Sequence, residues 1–394
     1  MNEKVAARPA WLQTTIITVA ALLLAFLVSA VVMVVADIEV ASKYAYFFSR
    51  PGDALAASWD KISSTFAAMW IGSMGSLVAI TNTTAEAAPL IAGGLAVAIA
   101  FRAGLFNIGA QGQAMLGALL GAFLGFSIKG LPLFLHLPLV IIVGMLGGAL
   151  WGGIVGLIKA RTGAHEVILT IMMNYIAARL LSFLMMQPAF QTPGRVDPIS
   201  PILEWSAIMP RLAGTRLHLG FFLALLAAFA VWVLIERTKF GVQLKAVGLN
   251  PNAAATSGAS VPKITFITMA LAGGFAGLAG VIQVTAPDLL TGVPPQMTGT
   301  IIGTLGFDAI TVALLGRSRP LGVVLAGLLF GALKASRRTM VAMAQTPEKL
   351  TDLIQALVVL FVAAPAFVTW LLPFLNERKA VKGQPVSSAK AVQA

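Results

Sequence analysis

The chain has 394 residues, of which 58% are hydrophobic and 11% charged, at a mean hydropathy of +0.90. Soluble domains carry about 25% charged residues, so the composition excludes an ordinary soluble enzyme and marks a polytopic membrane protein. Cysteine is absent, which excludes disulfides, thiolate chemistry and Cys-based metal sites, and the formal net charge of +12 fits solvated and headgroup-facing loops without a nucleic-acid partner.

Apolar runs long enough to cross about 30 Å of hydrocarbon place spans near 12–36, 86–101, 105–127, 133–158, 167–186, 218–235, 263–285, 301–316, 320–336 and 352–373. Ten crossings are expected, in an all-α fold that makes one transmembrane domain over 1–394. The first run follows Lys4 and Arg8 but exceeds the roughly 7–15 apolar residues of a secretion signal, so it reads as a retained span. Segment 66–80 is short and interrupted by Gly72 and Gly75, and is expected to form an interfacial or partly inserted elbow. With 1–11 in the cytoplasm, residues 102, 159–166, 236–263, 317–319 and the tail 374–394 share that side, and 15 of the 27 Lys and Arg fall there. The positive-inside rule then sets both termini in the cytoplasm, flanking a membrane core over 12–373.

Within the third run, ¹⁰³AGLFNIGAQGQAMLGALLG¹²¹ carries one Asn, two Gln and five Gly in nineteen residues. It also matches a later stretch. Set against ³⁰⁴TLGFDAITVALLG³¹⁶, residues 109–121 give five identities in thirteen and pair Gln113 with Asp308. The two copies are five spans apart and therefore cross in opposite directions, the arrangement of two inverted repeats. Discontinuous helices are expected near 104–109 and 300–308, because glycines break the helix where irregular backbone lines a passage. Asn107, Gln111 and Gln113 would face that passage, and carboxamides bind neutral solutes through donors and acceptors without charge. Gly144, Gly148, Gly152 and Gly156, like Gly117, Gly121 and Gly125, recur every fourth residue and read as close helix packing.

Chemical motifs are absent. His165-Glu166 lacks the second His of H-E-x-x-H, which falls at Leu169, and no Walker A loop occurs. No catalytic group, cofactor or metal is expected. Glu86, Arg102, Arg179 and Asp308 are the ionisable groups nearest membrane depth, where charge is functional by default; Arg102 is expected to snorkel to the cytoplasmic edge. The long loop 236–263 contains Asn250, an N-cap, and Pro251, preset for a first turn. A short Ala-rich helix ending at Gly258 should follow, exposing small side chains to a partner.

Four stretches in order, ¹⁰¹FRAGLFNIGAQGQ¹¹³, ¹⁶⁵HEVILTIMMNYIA¹⁷⁷, ²⁴⁰FGVQLKAVGLNPNAA²⁵⁴ and ³⁰⁶GFDAITVALLGRSRPLG³²², resemble the permease subunits of bacterial ABC importers of the ribose and branched-chain amino acid superfamily, most of all the branch serving nucleosides and simple sugars. The resemblance covers roughly 66–373. It implies a bacterial cytoplasmic membrane, a partner ATPase on the cytoplasmic face, a second permease subunit, often a different chain, and an extracytoplasmic binding lipoprotein that delivers substrate. Gln111 stands where the family commonly has Glu, Arg337-Arg338 replace small residues, and residues 44–65 have no counterpart. The expectation is a non-catalytic permease half for nucleosides or simple sugars. Its path candidates are Asn107, Gln111, Gln113, Asn174 and Asp308, with no paired Arg and carboxylate nearby. Its ATPase-coupling candidates are Phe240, Gly241, Lys245, Gly248, Asn250, Pro251, Ala253 and Ala254. The alternatives are a secondary transporter driven by an ion gradient through Glu86 or Asp308, and an ABC permease for branched-chain amino acids.

Overall fold

The computed structural model of the chain describes residues 10–286 and 294–372. The expected cytoplasmic tail and nearly all of the segment before the first span lie outside the described residues. Helix α1 (Ala10–Ala36) is followed by the short α2 (Ile38–Lys43), α3 (Pro51–Ser73), α4 (Leu77–Arg102) and α5 (Ala110–Ser127). Next come α6 (Leu133–Thr162), α7 (Glu166–Leu184) and α8 (Leu219–Arg237), then the paired α9 (Lys239–Leu249) and α10 (Pro251–Thr256). The chain continues through α11 (Val261–Thr285), α12 (Leu305–Leu315), α13 (Pro320–Ala344), α14 (Lys349–Ala363) and α15 (Pro365–Leu371).

Seven of these helices are long and apolar enough to cross a membrane: α1, α4, α6, α7, α8, α11 and α13. The other three of the ten expected crossings fall on shorter or more polar helices. Helix α5 begins with two Gln, α12 has only 11 residues, and the span expected at 352–373 divides into α14 and α15 at Pro365. The residue before a proline is driven out of the helical region, and Ala364 sits at φ −115°, ψ 68°.

Segment 66–80 is not an elbow. Its first part completes α3, which starts at Pro51 and carries Asp53 in its first turn, both favourable at a helix N-terminus. The chain turns at Met74–Ser76, and the Ser76 side chain accepts from Ala79 N to cap α4. Gly72 is a contact, not a breaker: a Cβ there would strike Ser336 and Thr339 of α13. Residues 44–65 thus form a 3₁₀ turn and most of α3. Lys61 Nζ donates to Ala344 O at 2.9 Å and pairs with Asp37 at 2.7 Å, tying α3 to the end of α13.

At the centre of the bundle is α4, buried on all sides from Ala87 to Ala100, as a helix apolar all round must be. It packs on α13, α11 and α12, while α6 lies along α11 and α5. Close approach at the α6–α11 crossing depends on glycine: a Cβ on Gly148 would meet the Gly273 carbonyl, and one on Gly273 would meet that of Gly148. Two faces of the bundle are fixed by contacts. On one, Gly248 of α9 packs on the backbone of Arg102–Gly104, and Arg102 Nε donates to Ser318 O at 2.9 Å. On the far face, Glu204 N donates to Gly125 O and Leu203 N to Pro295 O.

Candidate functional site

The two interrupted stretches meet. After α4, residues 103–109 run without helix to Gly109, and α5 starts there; residues 299–304 form turns, and α12 starts at Leu305. Gln111 joins the two starts, because Gly306 N donates to its Oε1 at 2.7 Å while its Nε2 donates to Gly303 O at 2.7 Å. Positions 111 and 306 are equivalents in the internal match. From this junction α5 runs to the far face, ending beside Leu203, while α12 runs back to the face of Arg102 and Ser318. Eleven helical residues rise about 16 Å, which sets the junction near mid-depth.

The other carboxamides are drawn into the same junction. Asn107 and Gln113 pair reciprocally, Nδ2 to Oε1 at 3.0 Å and Nε2 to Oδ1 at 3.2 Å, and Asn107 Oδ1 also accepts from Gly109 N. Asn174 of α7 accepts from Gly112 N and donates to Ile108 O, both at 2.9 Å. It therefore supplies one partner that the first turn of a helix lacks. Asn107 and Gln113 are completely buried, so these two close the junction and present nothing to an open passage.

Asp308, expected at the passage, is ion-paired with Lys334 of α13 at 2.6 Å, each side chain about one-fifth exposed, and Thr304 donates to the same carboxylate at 3.0 Å. Glu86 pairs with Arg216 at 3.1 Å. Two acid–base pairs thus lie where none was expected, and neither carboxylate named for ion coupling is left unpaired. Arg102 sits at the end of α4 as expected for a snorkelling group, and Arg179 is exposed on α7. Lys334 escaped the sequence reading because its partner is 26 residues away on another helix; a lysine inside an apolar run was the available signal.

A cavity of about 270 Å³ opens at the far face, bounded by Glu86, Arg211, Arg216, Gln283, Gln296 and Arg338 with Ala85, Pro89, His218 and Ile301. Its wall has a local origin. Pro89 has no N–H, which frees the carbonyl four residues back, and His218 donates to that Ala85 carbonyl. The other ring nitrogen, Nδ1, accepts from Gly220 N at 3.1 Å, capping α8. Burial pushes the His218 pKa down to about 4, so the imidazole is neutral and bridges α4 to α8. One residue of the cavity lining, Ile301, belongs to the turns leading into the junction.

On the opposite face, Asn250 accepts from Asn252 N and Ala253 N, and Gly258 ends the short helix at φ +86°, as the sequence leads one to expect. The coupling candidates divide by exposure. Pro251 and Ala253 are exposed, as is Leu249 at 88%, whereas Ala254 is buried against the chain's own core at 4%. Ala254 is therefore not a contact surface in this arrangement. Gly241 is pressed on the Leu234 and Ile235 carbonyls and Gly248 on the end of α4, Lys245 pairs with Glu236 at 2.9 Å, and Phe240 packs partly buried. Together they fix α9 and α10 on the face of Arg102 and Ser318.

Two interrupted helices meeting inside a bundle of membrane-length helices, with a polar cavity at one face and a compact surface element at the other, fit a solute permease. Residues 79–363 match the family described as "Branched-chain amino acid transport system / permease component", and the chain belongs to that family of ABC transporter permeases. It is 37% identical over 326 residues to the guanosine ABC transporter permease protein NupP of Bacillus subtilis, covering 81% of this chain and 90% of that one. The glucose ABC transporter permease protein TsgB13 of Haloferax volcanii is 32% identical over 313 residues, 77% of this chain and 80% of the relative. The nucleoside ABC transporter permease protein NupB of Lactococcus lactis is 31% identical over 336 residues, 83% and 89%. No solved structure matches the chain. Family membership makes this a multi-pass, non-catalytic membrane subunit, working with a separate ATPase and a substrate-binding component.

Proposed function

We propose that the chain is one half of an importer permease that passes neutral nucleosides or related simple sugars into the cytoplasm. The observation that carries the reading is the mid-depth junction built from Gln111 and the two helix starts, in a chain whose relatives include permeases for guanosine, nucleosides and glucose. A second permease subunit, often a different chain, completes the passage. The face bearing α9 and α10 is cytoplasmic, with both termini on that side, in keeping with the basic loops assigned there. Asn250, Pro251 and Ala253 present the docking helix to the ATPase, held in place by Phe240, Gly241, Lys245, Gly248 and the buried Ala254. Gln111 and Asp308 border the passage, and Asn107, Gln113 and Asn174 become part of its wall when α5 and α12 separate.

Transport in cells carrying the assembled importer tests this. Uptake of labelled guanosine should persist when the proton gradient is collapsed at constant ATP, and unlabelled nucleosides should compete at least tenfold better than leucine. Uptake that follows the gradient would refute the importer. The family description favours one other reading, a branched-chain amino acid as solute; equal competition by leucine would establish it.

A further inference from the structure

The far-face cavity has no assigned role. Its walls come from α4, the hairpin joined by the Arg211–His218 bridge, the end of α11, residues 294–301 and Arg338 of α13, so five separated parts of the chain converge on it. Its lining is mixed in sign and rich in hydrogen-bonding groups: one carboxylate, three guanidinium groups and two carboxamides. At about 270 Å³ it lies just below the roughly 300–1,000 Å³ of small-molecule sites, enough for one compact solute. Arg338 is one helical turn beyond Lys334 on α13, and Lys334 holds Asp308 of α12. Ile301 of the lining is two residues from Gly303, whose carbonyl takes the Gln111 amide. Arg338 on the cavity wall and the Lys334–Asp308 pair thus lie between the cavity and the start of α12.

We propose that this cavity is a receiving chamber that binds the solute within this chain before it reaches the junction, and that its ligand is a neutral solute bearing a vicinal diol, such as the ribose of a nucleoside or a monosaccharide. The inference rests on the importer reading and adds a site to it. Glu86 and Arg216 already neutralise one another at 3.1 Å. A diol can donate to the carboxylate and accept from the guanidinium without separating the pair, since each group has more than one hydrogen-bonding position. A zwitterion would have to pull the pair apart and leave each half desolvated. The carboxamides of Gln283 and Gln296 can each donate and accept, which suits the heterocycle or the remaining hydroxyls of such a solute.

Because the chain has no cysteine, Gln283→Cys and Gln296→Cys each provide a single thiol. Intact cells expressing the assembled importer are treated with a membrane-impermeant maleimide, with Gly214→Cys, on the hairpin tip outside the cavity, as control; guanosine uptake is measured in parallel. The expected result is labelling of all three from outside, slowed at least threefold by millimolar guanosine or glucose at 283 and 296 but not at 214. Dideoxyguanosine, lacking the diol, should give no protection. If uptake of guanosine is intact but labelling at 283 and 296 is not slowed, or protection extends equally to dideoxyguanosine, the chamber or its diol recognition is overturned while the importer stands. If leucine both protects these thiols and drives uptake, the solute class of the importer falls along with the diol. Reaction of the thiols at 283 and 296 only in opened cells places the cavity on the wrong side and overturns the chamber.

Discussion

Gln111 is the residue on which the two half-helices depend. Replacing it with Leu leaves the buried Gly306 N without its partner, at a cost of about 1–3 kcal/mol, and frees Gly303 O on an exposed turn. Gln111→Leu should therefore lower the thermal midpoint of the purified protein by several degrees. Gln111→Glu, which keeps an acceptor for Gly306 N, should lower it less; equal losses would show that the two hydrogen bonds do not hold the junction. Asp308 and Lys334 require a different comparison. Removing one member of a poorly solvated pair is worse than removing both, by up to about 3–5 kcal/mol where burial is complete, and these side chains are only one-fifth exposed. Lys334→Met should reduce membrane levels more than Lys334→Met combined with Asp308→Leu. If the double replacement is stable but transports poorly, the pair serves the passage as well as the fold.

At the scale of elements, α10 separates two surfaces within one turn. Ala254→Glu puts an unpaired carboxylate into the chain's own core and should destabilise the permease itself. Ala253→Glu, on the exposed side, should leave membrane levels unchanged while removing co-purification of the ATPase and uptake. Should Ala253→Glu retain both, α10 is not the coupling element. The cap of this helix was legible in Asn250-Pro251, and the α5 break in Gly104 and Gly109, because both are set by residues within a few positions of each other. The division of Ala253 from Ala254 was not legible, since it depends on which side of a six-residue helix faces α9 and α11. Helix α3 was half missed for another reason: its polar first half hid a start signal at Pro51 from a search for apolar runs. The pairing of Lys334 with Asp308 joins helices whose register against one another is a tertiary fact, and no local pattern specifies it.

For the whole molecule, the far face carries a titratable link between α4 and α8. His218 has a pKa of about 4 in the fold, pushed down by burial, against about 6.5 in an unfolded chain. Between these values the unfolded state binds the extra proton, so stability is intact above pH 6.5 and falls as pH drops towards 4, by roughly 3 kcal/mol in total. Thermal midpoints of purified protein should decline over that interval, and His218→Gln should flatten the decline; an unchanged slope would remove His218 as its cause. The shortness of α12 has a bearing on how the protein is made. A helix rising about 16 Å cannot cross 30 Å of hydrocarbon, and its frayed start would meet lipid with unpaired amides. As the nascent chain leaves the ribosome, α12 cannot be released into the bilayer by itself. It must wait in the insertion machinery until α13 emerges, so that α11, α12 and α13 enter as one hairpin against the waiting Gln111. A chain truncated after Gly316 and released from the ribosome should remain open to protease at residues 299–316, and one truncated after Ala344 should be protected there.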